Sequence, residues 1–115
     1  MGSESERSGD LLLDALQLLS MASGHGCLNL SERVDWSEFP GYAQHLLAEI
    51  GGRQVSQDNC PDVRLWEVDV RGERLRLVYD DYPQMVSLES SSGAADSLLR
   101  SLLVDLTVAR DKGIG

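Results

Sequence analysis

Apolar and polar residues alternate along two runs that together span residues 63–82. The runs flank Arg71-Gly72, and a two-residue loop containing glycine, which accepts positive φ, is the tightest antiparallel connection. This loop sets Val70 opposite Glu73, and a shift by one residue would move every side chain to the wrong face. The pattern therefore predicts a β-hairpin with a fixed register.

The predicted register gives the hairpin two unlike faces. On the charged face, Asp69 lies opposite Arg74 and Glu67 opposite Arg76, and each such pair contributes about 0.2–1 kcal/mol. The other face is mostly apolar, so we expect it in the core. Its apolar members are Trp66, Val68, Val70, Leu75, Leu77 and Tyr79.

Residues 11–22 carry apolar side chains at helical spacing and predict an N-terminal helix. Asp10, or Ser8 before it, is the expected N-cap, and the break at residues 24–26 ends the helix. Its apolar surface is wider than one stripe, so we expect the domain, a second copy of the chain or a partner to cover it. Residues 1–9 are polar, and we expect them to form a disordered tail.

Two further segments, residues 39–50 and 95–109, have the apolar spacing of amphipathic helices. In the first of them, Ser37 is the expected N-cap and Gly51-Gly52 ends the helix. In the second, Ser91 or Ser92 is the expected N-cap, and residues 112–113 close the helix.

Strand patterns occupy residues 27–34, 53–57 and 85–89, in addition to the hairpin. The resulting order, α-(β)-α-β-β-β-β-α, predicts an α+β fold with an antiparallel sheet of four to five strands and helices packed on one face. With 115 residues and 42% hydrophobic content, the chain is expected to form a single domain over residues 10–112.

Charge and cysteine content narrow the classes of function. The net charge of −9 disfavours nucleic acid and membrane surfaces as partners, because both attract basic proteins. Cys27 and Cys60 belong to no CxxC motif, which favours a reduced compartment. Asp14 and Gln17 interrupt the apolar run near the N-terminus, so that run does not predict a signal peptide. We therefore expect a cytoplasmic protein.

The end of the hairpin away from its loop gathers carboxylates. The register brings Asp80 and Asp81 beside Asp62, and Asp58 is close in sequence. Four such groups together are suited to hold a hard cation through oxygen ligands, or to receive a partner rich in Arg or Lys. The alternative is a set of loop carboxylates that point separately into water, which is the common case in proteins.

On the charged face of the hairpin, Leu65 faces Val78. This apolar pair is covered by the N-terminal helix, a second subunit or a partner, or it is simply a small exposed pair. Elsewhere, His25 lies in a Gly-rich turn without the other ligands of a zinc site, and the chain has no Gly-rich phosphate loop, GxSxG or HExxH motif. The sequence predicts no catalytic residue, no metal site and no cofactor.

A longer pattern combines Asp35-Trp36-x-x-Phe39, Leu65-Trp66-x-x-Asp69 and Ser87-Leu88-Glu89 ahead of an amphipathic helix. In these motifs the chain resembles a family of small gammaproteobacterial proteins of unknown function, over roughly residues 34–110. The motifs comprise core aromatic residues, a turn glycine and a terminal helix. The resemblance therefore implies a shared structure and transfers no catalytic residue.

Two hypotheses about function follow. In the first, the chain is a non-enzymatic protein–protein interaction module, comparable at the level of fold to immunity proteins or secretion chaperones. Its partner is a protein, either a basic one or a second copy of the chain. It binds this partner through four aspartates and an apolar pair: Asp58, Asp62, Asp80, Asp81, Leu65 and Val78. In the second hypothesis, the same four aspartates make the chain a cation-binding protein or an enzyme.

Overall fold

Six strands and two helices make up the part of the chain that the computed structural model describes, residues 11–60 and 62–114. In chain order they are β1 (Gln17–Ser20), β2 (Gly26–Ser31), α1 (Phe39–Ile50), β3 (Gly52–Asn59), β4 (Val63–Val70), β5 (Glu73–Asp81), β6 (Gln84–Glu89) and α2 (Gly93–Ile114). The strands form one antiparallel sheet in the order β1-β2-β6-β5-β4-β3. The predicted α+β class with an antiparallel sheet is confirmed, although the sheet has six strands rather than four to five.

The β4–β5 hairpin has the predicted register along its whole length. Val70 pairs with Glu73, and the pairing continues without a shift to Val63 opposite Asp80. Arg71 and Gly72 have φ angles of 52° and 85°. Two consecutive residues with positive φ are typical of the type I′ loop, whose twist matches that of the flanking strands.

Both helices pack on the apolar face of the sheet. Phe39, in the first turn of α1, contacts Trp66 and Tyr79, with ring centroids 5.4 Å and 5.6 Å apart respectively. At the other side of the same face, a side chain added at Gly26 would meet Leu99 of α2. The core therefore lies between one face of the sheet and the two helices.

The predicted N-terminal helix is wrong. Residues 11–16 are irregular or turn, and β1 follows as the edge strand paired with β2. Leu13 is nonetheless buried, and Leu16 and Leu18 pack against the core. Because Leu16 and Leu18 are two residues apart, they reach the core from an extended backbone as well as they would from a helix. The predicted cap at Ser8 or Asp10 and the predicted tail lie outside the described residues.

The helix ends differ in part from the predictions. Ser37 does not cap α1, because its hydroxyl donates to Asp35. Asp35 accepts the Glu38 N–H, and Glu38 in return accepts the Asp35 N–H, an exchange that resembles a capping box. Ser92 accepts the Ala95 N–H at 3.1 Å and so caps α2 as predicted. That helix continues to Ile114, past the predicted end at residues 112–113.

The edge strand β3 contains a β-bulge. Gln54 pairs with Val68 and Ser56 pairs with Glu67, so Val55 is an extra residue without a partner on β4. The bulge changes the alternation of side chains between the two halves of β3. Arg53 and Ser56 consequently lie on the same face of the sheet although they are three residues apart.

The open face of the sheet as candidate functional site

The sheet has a second face, which neither helix covers in the described part of the chain. Since side chains alternate along each strand, every residue between two core positions points to this side. We call it the open face. Its central row crosses all six strands and consists, in sheet order, of Gln17, Asn29, Ser87, Val78, Leu65 and Asp58.

Leu65 and Val78 lie directly opposite each other in this row, as the hairpin register predicts. Val78 is only 8% exposed and the neighbouring Ser87 only 6%, although no described helix lies above them. Leu65 is half-buried, so the centre of the row is an apolar site that is only partly closed.

Ion pairs flank this apolar centre on the side of the hairpin loop. Asp69 accepts from Arg74 Nε at 2.5 Å and from Arg53 Nη2 at 3.3 Å. Glu67 accepts from Arg76 Nε at 3.3 Å. The Arg74 guanidinium holds the pKa of the Asp69 carboxyl below its usual range, mainly through their hydrogen bond. The two predicted cross-strand pairs therefore form, and Arg53 of β3 joins them.

The four aspartates at the other end of the hairpin do not converge. Asp80 lies on the open face two residues beyond Val78, whereas its neighbour Asp81 lies on the opposite side, where it accepts the Tyr79 hydroxyl at 3.0 Å. The Asp81 N–H donates to the backbone carbonyl of Asp62, so these two residues are neighbours through their backbones. Asp58 lies on the open face opposite Leu65.

Metal binding through these aspartates consequently lacks a geometric basis. Asp58 and Asp80 are two strands and two residues apart, about 12 Å between their backbones. Within residues 11–60 and 62–114, no group of three or more His, Cys, Asp or Glu side chains is placed to hold a metal ion.

A polar cluster that the sequence does not indicate connects the β1–β2 turn to α2. Asp96, in the first turn of α2, accepts the Gly26 N–H at 2.8 Å, and its other oxygen lies 3.0 Å from His25 Nδ1. The Ser90 hydroxyl also donates to Asp96. These hydrogen bonds lower the pKa of Asp96 to about 2, and the one from Ser90 contributes most to the shift.

This cluster has a structural role, because its contacts hold the β1–β2 turn against the start of α2. Ser90 donates to the carboxylate rather than to the imidazole of His25, so the three side chains do not form the relay of a Ser-His-Asp triad. Cys27 is another poor nucleophile, because burial raises its pKa.

The hydrogen bonds of Asp96 predict a specific pH dependence of stability. An aspartate whose pKa is about 2 when folded and about 3.9 when unfolded stabilises the protein above roughly pH 5 and loses this contribution as the pH falls towards 2. We expect Asp96→Asn to lower the melting temperature at pH 7 by several degrees, and the difference from wild type to shrink between pH 5 and pH 2. Exposed Asp58 supplies the control, since Asp58→Asn should leave the melting curve unchanged. An Asp96→Asn difference that stays constant down to pH 2 contradicts this assignment.

The fold and the open face define the class of the molecule. Across residues 11–60 and 62–114 it is an α+β sandwich, in which two helices cover one face of an antiparallel sheet and neither covers the other face. None of the described helices is long and apolar enough to cross a lipid bilayer.

The chain belongs to a family described as protein of unknown function (DUF3630), whose model matches residues 16–108. The match confirms the resemblance inferred from the core motifs and extends it at the N-terminal side to include β1. No curated protein and no solved structure matches the chain.

Proposed function

We propose that this protein is a non-enzymatic protein–protein interaction module and that the open face is its docking surface. One observation carries the proposal: an apolar pair, Leu65 and Val78, sits at the centre of a sheet face that no described helix covers. An antiparallel sheet with one solvated face usually carries polar residues there. Apolar residues grouped on an exposed face are typical of surfaces that bind other proteins.

The apolar character extends beyond this pair. Val63 precedes Leu65 on the same face of β4, and Met85 lies opposite Asp80 on β6, so both border the central pair. Leu19, at the β1 edge of the same face, is 42% exposed. A protein docked here would bury these side chains, and burial of apolar area is the main source of association free energy.

The polar residues around the centre supply orientation. Asp58 and Asp80 lie on one side of the Leu65–Val78 pair, and the ion pairs of Asp69 and Glu67 lie on the other. An apolar centre within a charged rim is the usual arrangement of a protein interface. Such a rim selects among partners and speeds encounter more than it adds affinity.

Site-specific photocrosslinking tests whether the open face docks a protein. A photoreactive amino acid in place of Leu65, irradiated in host cells, should give a covalent adduct whose protein component is identified by mass spectrometry. The same group in place of Val104, which is 62% exposed on α2, serves as the control on the helical side. The docking role requires that the adduct at position 65 is lost when Val78→Glu is added, and that the identified protein binds the purified wild type. Equal adduct formation at both positions, or none at position 65, contradicts the proposal.

A further inference from the structure

We propose that the open face docks a second copy of this chain, with a two-fold axis that lies above the open face, parallel to β4 and β5 and midway between them. This inference rests on the proposed docking role of the open face. Its basis is a self-complementarity of the hairpin: three of the four open-face pairs match, namely Leu65 with Val78, Glu67 with Arg76 and Asp69 with Arg74, whereas Val63 lies opposite Asp80. A symmetric dimer needs a surface of that kind.

The position of the axis follows from the register. A two-fold axis parallel to the strands and midway between β4 and β5 places each β4 residue over the β5 residue that pairs with it, now in the second copy. Leu65 then meets Val78 of the second copy, and Val78 meets its Leu65. Two sheets packed face to face lie about 10 Å apart, which is the distance that such side chains span. The Leu65 and Val78 side chains of the two copies then form one apolar group of four between the sheets.

Charges match under the same axis. Arg76 meets Glu67 of the second copy, and Arg74 meets its Asp69. The two-fold symmetry repeats each of these contacts. Every guanidinium then has one carboxylate in its own chain and another in the second copy. In each of these two rows, the two arginines and two carboxylates of the dimer therefore form a ring of alternating charges. An axis perpendicular to the strands, placed between these two rows, would instead set Arg76 over Arg74 and Glu67 over Asp69. Of these two arrangements, repulsion between like charges favours the axis along the hairpin.

The overall charge of the chain does not oppose this contact. Each copy carries a net charge of −9, which would repel a second copy at most surfaces. On the loop side of Leu65 and Val78, however, the open face carries three arginines and three carboxylates, which balance: Arg53, Arg74, Arg76, Glu67, Asp69 and Glu89.

The area that the two copies share is that of a small protein interface. The axis places β3 and β4 of one copy over β6 and β5 of the second copy, and β1 and β2 extend beyond the contact. Four overlapping strands spaced about 4.8 Å apart, with four rows about 6.8 Å apart, give a flat area on the order of 500 Å² on each copy. A standard interface between two proteins buries about 800 Å² on each partner.

Two charge-reversed variants test the inference. Glu67→Lys with Asp69→Lys makes both strands of the open face basic, and Arg74→Glu with Arg76→Glu makes both acidic. Sedimentation equilibrium should show wild type as a dimer, at twice the 12.6 kDa chain mass, and each variant alone as a monomer with a dimer dissociation constant raised at least tenfold. An equimolar mixture of the two variants should form a heterodimer, because each basic strand then meets an acidic one.

A four-residue exchange is the control for folding. Glu67→Arg, Asp69→Arg, Arg74→Glu and Arg76→Glu together restore, with exchanged charges, the two pairs between β4 and β5 within the chain and between copies, and lose only the pair of Arg53 with Asp69. This variant should therefore still dimerise. Circular dichroism spectra should match wild type for all variants, so that loss of the dimer reports the surface.

Three results would overturn the inference: a monomeric wild type at millimolar concentration, variants that dimerise alone, or a mixture that stays monomeric. A monomeric wild type whose position 65 crosslinks to a different protein, for example a basic one drawn to Asp58 and Asp80, refutes the self-association but leaves the docking role of the open face intact.

Discussion

Replacing Phe39 by alanine is expected to lower the free energy of unfolding by about 3–5 kcal/mol, as is usual for a large aromatic side chain removed from a core. Phe39 is fully buried and is one of the residues through which α1 packs on the sheet, with Trp66 at 5.4 Å in edge-to-face geometry and Tyr79 at 5.6 Å. Urea denaturation followed by tryptophan fluorescence measures the change. A loss of this size is a large part of the 5–15 kcal/mol that stabilises a typical domain.

The control is a substitution on a helix surface. Val104 is 62% exposed on α2, so Val104→Ala should change the free energy of unfolding by no more than about 0.5 kcal/mol. If both substitutions have the same effect, Phe39 does not join α1 to the sheet.

Leu13→Ala is expected to cost about 2–5 kcal/mol, and Leu12→Ala about 0.5 kcal/mol or less. The two residues are adjacent and chemically identical, but Leu13 is 4% exposed and Leu12 is 43% exposed. Leu13 belongs to the irregular segment before β1, and its burial fastens that segment to the core. Chemical denaturation of both variants under identical conditions gives the comparison. Equal costs for the two would show that the segment before β1 is not held by Leu13.

The hairpin could be predicted in detail because its evidence is redundant. Alternation, loop chemistry and cross-strand charge all favour the pairing of Val70 with Glu73, and each of them fails if the register shifts by one residue. The open face followed from the same pairing. Leu65 opposite Val78 was predicted, whereas the near-complete burial of Val78 was not.

The N-terminal segment could not be assigned from its pattern. Leucines are so dense in residues 11–19 that both helical and alternating spacings fit them. What decides between the two is the edge of β2, which pairs with β1 and supplies the hydrogen bonds that a helix would have made internally. That edge becomes visible only when the order of the strands is known.

The aspartates at the end of the hairpin and the cluster around Asp96 differ in how far the sequence could have predicted them. Asp80 and Asp81 are neighbours on β5, and strand alternation alone sends their side chains to opposite faces, so the predicted convergence neglected a rule that the sequence already provided. His25 and Asp96 are 71 residues apart and meet only because α2 begins beside the β1–β2 turn. No local pattern indicates such a contact.

The bulge at Val55 bears on how far association can proceed. A sheet grows into a fibre when one edge pairs with the other edge of the next molecule, and this needs two edges of matching length and regular alternation. Here β1 is a four-residue strand, and β3 is interrupted in its middle by an unpaired residue. Neither edge offers a long regular template for the other. The proposed association through the open face would close on itself at two copies, and the two edges would not extend it further.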